Sequence, residues 1–274
     1  MTEKCGLVAV IGAPNAGKST LVNALVGQKV AITSAKAQTT RARLMGIALE
    51  GEVQIILADT PGIFAPKRRL DRAMIAAAWE GAQEADAILL VVDAVKQRRH
   101  ELEPLLETLK DRPERKLLVL NKVDASAKPT PSPDSAETKT RLAELMPEGP
   151  WHYPEDQVSD ASERLLACEI TREQLYRQLH DELPYDTAVR PESYTHRRDG
   201  SVEIRQQIVV ARDSQKAIVL GKRGAKVRAI GEAARTELAE ILGHKVHLFL
   251  HVKVEENWAE ARDIFEEIGL DWVK

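Results

Sequence analysis

Residues 12–19 read GAPNAGKS, a G-x-x-x-x-G-K-S spacing that follows a short apolar run, Leu7–Ile11, and precedes Lys18–Val26, where Leu21, Ala24 and Leu25 recur at helical intervals. The order is strand, glycine loop, helix. Two glycines let backbone N–H groups close around phosphate oxygens where a helix begins and its dipole favours anions. Gly12, Ala13, Pro14, Asn15, Ala16, Gly17, Lys18, Ser19 and Thr20 are therefore expected to form a phosphate cradle. Within it Lys18 should reach the β and γ phosphates, and the Ser19 hydroxyl should ligate Mg²⁺.

Outward from this loop the pattern stays α/β. Leu44–Leu49 and Val53–Ala58 flank Glu50-Gly51-Glu52 and read as a hairpin, an antiparallel edge to the sheet. Helical periodicity over Leu70–Gln83 and Glu101–Lys110 alternates with apolar strands at Ala87–Val92 and Lys116–Leu120, the latter expected to be buried on both faces. Such alternation predicts a mostly parallel sheet wrapped by helices. Residues 125–140, ASAKPTPSPDSAETKT, lose apolar periodicity and read as loop or linker, and the segment 125–145 is atypical for the fold. A helix is expected over Ser162–Leu183, ending at Pro184. Beyond it a second, small α+β unit is expected, with strands at Val202–Ala211, Ala217–Leu220 and Lys245–Val254 and helices at Ala225–Leu242 and Trp258–Ile268. The chain divides on this reading into 1–160, a connecting helix and linker over 161–190, and 191–274.

Composition narrows the class. The 274 residues suffice for two domains, and 43% hydrophobic with 30% charged residues fits a globular protein. No apolar run reaches the ~18 residues of a spanning helix. Two cysteines, Cys5 and Cys168, are too few for a disulfide framework and lack metal-ligand spacing, so a cytoplasmic location is expected. The N-terminus shows no signal peptide, because Leu7–Ile11 runs into a glycine turn. Net charge is −3, yet residues 197–228 carry nine Lys or Arg against three acids, a local basic surface suited to phosphates.

Two further motifs follow strand ends. Asp59-Thr60-Pro61-Gly62 stands one hairpin after the glycine loop, where the carboxylate that helps hold Mg²⁺ in a P-loop NTPase belongs, and where Gly62 could offer its N–H to the γ-phosphate. Asn121-Lys122-Val123-Asp124 follows the strand 117–120. In this order N-K-x-D resembles the guanine-recognition motif of the GTPase superfamily, and Asp124 can accept two hydrogen bonds from the guanine N1–H and 2-amino group. By that resemblance Asn121 supports the base and its loop, Lys122 packs along the base plane, and GTP and GDP are the ligands. Ala35–Arg41 (AKAQTTR) resembles switch I of one GTPase branch, with Thr40 as the ligand of Mg²⁺ and the γ-phosphate and Thr39 as its alternative. Lys18, Thr40 and Gly62 are the candidates for acting on the reacting phosphate. Ile63 stands where signalling GTPases carry the Gln that orients water, so slow intrinsic hydrolysis is expected. Asn15 resembles relatives in which this residue helps bind a monovalent cation such as K⁺, with simple loop hydrogen bonding as the alternative reading.

In the second unit Gly221-Lys222-Arg223-Gly224 is read as following a strand and opening a helix. Paired glycines let a nucleic-acid backbone pass close while Lys222, Arg223, Lys226 and Arg228 neutralise phosphates, as in a KH domain, here of type II order. A GTPase domain of this motif set followed by a type II KH domain resembles the Era family, as do YPEDQVSD at 153–160, EITREQLY at 169–176 and ELPYDTAV at 182–189. The resemblance implies a GTPase that binds the 3′ end of small-subunit (16S) ribosomal RNA through its KH domain and assists 30S subunit assembly, with some peripheral association with the inner membrane. One departure stands out. The family pattern implies a helix, a strand and a guanine-contacting Ser-Ala loop after N-K-x-D, whereas only 21 residues lie between Asp124 and Met146, and Ser135-Ala136 has no apolar strand before it. A non-catalytic RNA-binding scaffold with a degenerate nucleotide domain is the competing expectation.

Overall fold

The computed structural model describes residues 2–34, 36, 40–41, 43–64, 66, 68–96, 99–123, 135–181 and 183–273. Contacts group Met1–Lys67 with Met74–Asp160 in one compact unit and Ala161–Lys274 with Arg68–Ala73 in another.

In the first unit a five-stranded sheet has the order β2-β3-β1-β4-β5, built from β1 (Lys4–Ile11), β2 (Leu44–Glu50), β3 (Val53–Asp59), β4 (Ala87–Asp93) and β5 (Arg115–Asn121). All neighbours are parallel except β2 and β3, the expected hairpin, whose turn uses Gly51 at φ 57. One face packs its Val8, Val10, Leu57, Leu89 and Val119 against α1 (Lys18–Val26) and α4 (Ser135–Leu145). The other packs Ile11, Ile88 and Leu90 against α2 (Arg69–Gln83) and α3 (Arg99–Lys110), through Ala82, Leu105 and Leu109. Parallel strands end together, so the loops after β1, β3, β4 and β5 meet along one edge of the sheet, where α/β proteins bind ligands.

Two expectations fail here. β5 is half-exposed rather than buried on both faces: among the described residues it is an edge strand, and Leu118 and Leu120 remain 54% and 45% accessible. Residues 135–140 are helix, not linker. In α4 Thr138, Leu142 and Ala143 form the buried stripe, and the polar first member hid the period. Of the expected linker, residues 125–134 lie outside the described residues.

The second unit holds a three-stranded sheet, β6-β7-β8, from β6 (Thr187–His196), β7 (Val202–Val210) and β8 (Val246–Val254), with β6 antiparallel and β8 parallel to β7. α5 (Glu163–Gln178) and α7 (Ala225–Leu242) cover one face of it, burying Leu175, Ile208, Ile230 and Val252 together. α5 starts as expected, with Ser162 accepting a hydrogen bond from the Leu165 N–H, but stops at Leu179, which turns extended before Pro184 is reached. β6 was not anticipated: Pro191 and a bulge between Pro191 and Ser193 interrupt its alternation. Ala217–Leu220 is not a strand but the last turn of α6 (Asp213–Leu220). Val219 is buried while Ile218 is exposed, and the Gln215 side chain accepts from the N–H groups of Ala211 and Arg212 to start the helix. A four-residue apolar run cannot by itself distinguish strand from helix. The closing helix is broken in two, a 3₁₀ turn at Trp258–Glu260 and α8 (Arg262–Glu267), because Ala261 adopts an extended conformation between them.

Candidate functional site

The glycine loop sits between β1 and α1 as the spacing requires. Gly12 has no room for a side chain, since a Cβ there would lie 2.3 Å from the Val91 carbonyl oxygen. Gly17 is left-handed at φ 97, and a Cβ would meet Asn121 Nδ2 at 2.1 Å. Both glycines are thus demanded by other strand ends closing on the loop. Lys18 is 7% exposed, and its ammonium donates to the carbonyl oxygens of Gly12 at 3.1 Å and Ala13 at 3.0 Å. Burial lowers its pKa to about 8, against the attraction of Asp59. A charge held this way is poorly solvated and poised for a phosphate.

Beside it three oxygens converge. Ser19 Oγ donates to Asp59 Oδ2 at 2.7 Å, Thr40 Oγ1 donates to the same oxygen at 2.9 Å, and the two hydroxyls stand 3.0 Å apart. Asp59 is fully buried at the end of β3, beside Val10 of β1. A buried carboxylate with two hydroxyls is a hard, all-oxygen donor set, which fits Mg²⁺ completed by phosphate oxygens and water. Thr60 anchors the next loop through a 2.7 Å bond from Oγ1 to the Val10 carbonyl, and Pro61 is buried behind it. Gly62 lies so close to the cradle that a Cβ would be 2.7 Å from the Pro14 nitrogen. Ile63 donates its N–H to the Gly12 carbonyl at 3.1 Å and packs its side chain against the core.

The loop after β5 closes the site from the far side. Asn121 Nδ2 donates to the Ala16 carbonyl at 2.8 Å. Lys122 donates to the Asn15 carbonyl and, at 2.8 Å, to Asp93 Oδ2. Both Asn15 and Lys122 take a left-handed φ of 60. Burial alone would raise the Asp93 carboxyl, but hydrogen bonds from Lys122 and from the N–H groups of Lys96 and Val95 hold it below its usual range. The result is a cleft of about 350 Å³ lined by Pro14, Asn15, Gly17, Lys18, Ser19 and Thr20. Thr33, Ser34, Thr40, Gly62, Lys96 and Lys122 complete its wall. Asp93 and Lys96 were not singled out from the sequence, although Asp93 ends the apolar run 87–92 as Asp59 ends 53–58. Asp124 and Thr39 lie outside the described residues, as do Ala35, Ala37, Gln38 and Ala42 around Thr40.

In the second unit Gly221-Lys222-Arg223-Gly224 joins α6 to α7 instead of a strand to a helix. Gly221 (φ 68), Arg223 (φ 53) and Gly224 (φ 75) are left-handed, and Lys222–Gly224 makes a 3₁₀ turn. Lys222, Arg223 and Arg228 are exposed or half-exposed, and Lys226 reaches back to the Gln178 carbonyl at 3.5 Å. The exposed Ile218 stands just before this turn.

Known proteins resemble the chain in both units. Residues 7–122 match the model of the 50S ribosome-binding GTPase family, and residues 182–259 match a KH domain model. The GTPase Era of Erythrobacter litoralis is 68% identical, with both chains covered completely, and that of Brucella suis is 52% identical over 98% of this chain and 94% of its own. The first alignment runs over 304 positions against the 274 residues present, so that relative carries residues with no counterpart in this chain. Among solved structures, Era in complex with MgGDPNP and nucleotides 1506–1542 of 16S ribosomal RNA is 34% identical at TM-score 0.88, covering 97% of this chain and 99% of its own. A single-residue variant of Aquifex aeolicus Era bound to GDP·AlF4⁻ gives 34% identity and TM-score 0.90 with the same coverage.

Proposed function

The chain belongs to the Era family of GTPases, and from that premise we propose a Mg²⁺-dependent guanine-nucleotide switch whose second unit reads the 3′ end of 16S ribosomal RNA during 30S subunit assembly. The observation that carries this reading is the convergence of Lys18, Ser19, Thr40 and Asp59 on a cleft that Lys122 also lines. The chain is a GTPase, and GTP, GDP and Mg²⁺ are its ligands. Completeness of the machinery at the phosphate end argues against the scaffold alternative.

Water is the nucleophile at the γ-phosphorus, and the β–γ bridging P–O bond breaks as the new P–O bond forms. Lys18 offsets charge on the β and γ oxygens, and the Gly62 N–H follows the γ-phosphate. Ser19 and Thr40, with Asp59 behind them, would hold Mg²⁺, which would supply further charge neutralisation. Ile63 cannot hold a water, so hydrolysis by the free protein is slow and contact with RNA or the ribosome speeds it. Asn15 is the residue through which K⁺ would add charge; turnover in K⁺ and in Na⁺ tests this. Asn121 and Lys122 brace the cradle and flank the base, and Asp124 selects guanine.

We assign nucleotide work to residues 1–160 and RNA reading to the second unit, in which α5 of the expected connecting stretch 161–190 packs on the sheet that β6 opens at Thr187. Lys222, Arg223, Lys226 and Arg228 contact the RNA backbone, and Gly221 and Gly224 let it approach. Peripheral contact with the inner membrane belongs to this reading on the family resemblance alone, and vesicle flotation checks it. Among the described residues no helix is long and apolar enough to cross a membrane. Titration with fluorescent GDP and ADP in Mg²⁺ tests the central assignment: GDP should bind tightly and ADP not at all. Asp124→Asn should move the preference toward xanthine nucleotides, and an unchanged preference would remove Asp124 from the base site.

A further inference from the structure

Six large hydrophobic side chains stand exposed among the described residues; two of them, Leu118 and Leu120, lie on β5, and Val95 and Leu106 lie after β4 and on α3. Leu118 and Leu120 register with Leu90 and Val92 of β4, on the sheet face where α3 buries Leu105 and Leu109. Val95 follows the residue whose N–H bonds the Asn121 carbonyl at 3.0 Å, and Leu106 neighbours the buried Leu105 on α3. The helices on this face therefore shield β4 and stop short of β5. The opposite face of β5 is finished, because Leu117 and Val119 pack with Leu142 and Ala143 of α4. Along its length β5 has a strand neighbour on one side only among the described residues. A seven-residue strand, RKLLVLN, with no second strand neighbour among the described residues is a template for another strand.

Paired antiparallel with its own copy, the edge avoids setting like charges against each other. In an antiparallel pair centred on Leu118, that residue meets its own copy and Lys116 meets Leu120. The basic end, Arg115-Lys116, then lies against the uncharged end, Leu120-Asn121. A parallel pair would set Lys116 against Lys116, which like-charge repulsion disfavours. The chain is also short just after this strand, between Asp124 and Met146, and its Erythrobacter relative carries residues that it lacks. We propose that β5 is the docking edge for a second copy of this chain, paired antiparallel about a two-fold axis so that the two sheets become continuous. The proposal stands independently of the nucleotide reading.

Sedimentation of the full chain across a micromolar concentration series tests it. The mass should rise from 30.4 kDa toward twice that value. Leu118→Lys and Leu120→Lys, at exposed positions, should each hold the chain at the monomer mass, whereas Phe249→Lys, comparably exposed but on β8, should leave association intact. Hydrogen exchange of the unsubstituted chain gives a readout free of folding defects: β5 amides should gain protection as concentration rises. A monomer at every concentration, or a dimer that survives both lysine substitutions, would overturn the proposal. So would β5 amides protected independently of concentration, because the edge would then be covered within one chain.

Discussion

Two glycine-bracketed basic loops open helices in this chain, and they hold their cations in opposite ways. In GAPNAGKS the lysine is buried, bonded to two carbonyls of its own loop and enclosed by the ends of β3, β4 and β5. In GKRG the lysine and arginine stand in solvent on a turn whose two glycines are left-handed. Both loops pair glycines with a lysine; burial makes the difference. A buried charge acts at one position, with little screening, on a phosphate of fixed geometry. Exposed charges act through counterion release on any backbone that comes near, and sequence must be read elsewhere.

The sharpest way to break the comparison is Lys18→Ala. It should lower GTP hydrolysis by about 10³-fold, as loss of a preorganised charge at a reacting group does, while RNA affinity of the nucleotide-free protein stays unchanged; phosphate release and RNA titration measure the two arms. Next are the glycines. Gly17→Ala forces a Cβ onto Asn121 Nδ2, so GDP affinity should fall by about one to two orders of magnitude, equivalent to roughly 1.4–2.8 kcal/mol. Gly224→Ala meets no atom within 4 Å, and only its left-handed backbone suffers, for about 1 kcal/mol of stability by denaturant titration. A smaller effect belongs to the exposed loop: Lys222→Ala with Arg223→Ala should weaken single-stranded RNA binding and flatten the salt slope by about 1.4, roughly 0.7 for each phosphate no longer neutralised. GTP turnover of the free protein should not move.

The smallest effect concerns protons. Lys18 has a folded pKa of about 8, below its unfolded value of 10.5, so the unfolded chain binds more protons between these pH values. Its contribution to stability therefore improves as pH rises from about 8 to 10.5, and its burial penalty is full below that window. A bound phosphate reverses the shift, so GTP binding near pH 8 should take up about half a proton. Calorimetry in buffers of different ionisation enthalpy reads this, and equal heats in all buffers would mean that Lys18 is fully charged before nucleotide arrives.

Short-range patterns were legible where a loop's chemistry and its neighbours' periodicity agree. The cradle between β1 and α1, the hairpin around Gly51 and the alternation of β8 all depend on residues within a few positions of each other. Asp59 was legible through its place at a strand end, and Asp93, at an equivalent strand end, carried the same signal without a motif to mark it. Ala217–Leu220 was misread because four apolar residues fit a strand as well as a helix; what distinguishes them is the helical hydrogen bonding, in which the Gly221 N–H bonds the Ala217 carbonyl. β6 was hidden by Pro191 and its bulge, and α4 by the threonine that begins its buried stripe.

By itself the sequence determined which atoms are available: a lysine and a hydroxyl at the start of α1, a carboxylate at the end of β3, an Asn-Lys pair at the end of β5, and a basic turn before α7. Local spacing suffices for that, because each motif is continuous in the chain. Tertiary structure alone decided that Ser19, Thr40 and Asp59 share one set of hydrogen bonds, that Asn121 occupies the space a Cβ on Gly17 would need, and that β5 is left at an edge. These relations join residues far apart in the chain, and burial and close approach exist only after the parallel strands have brought their ends together.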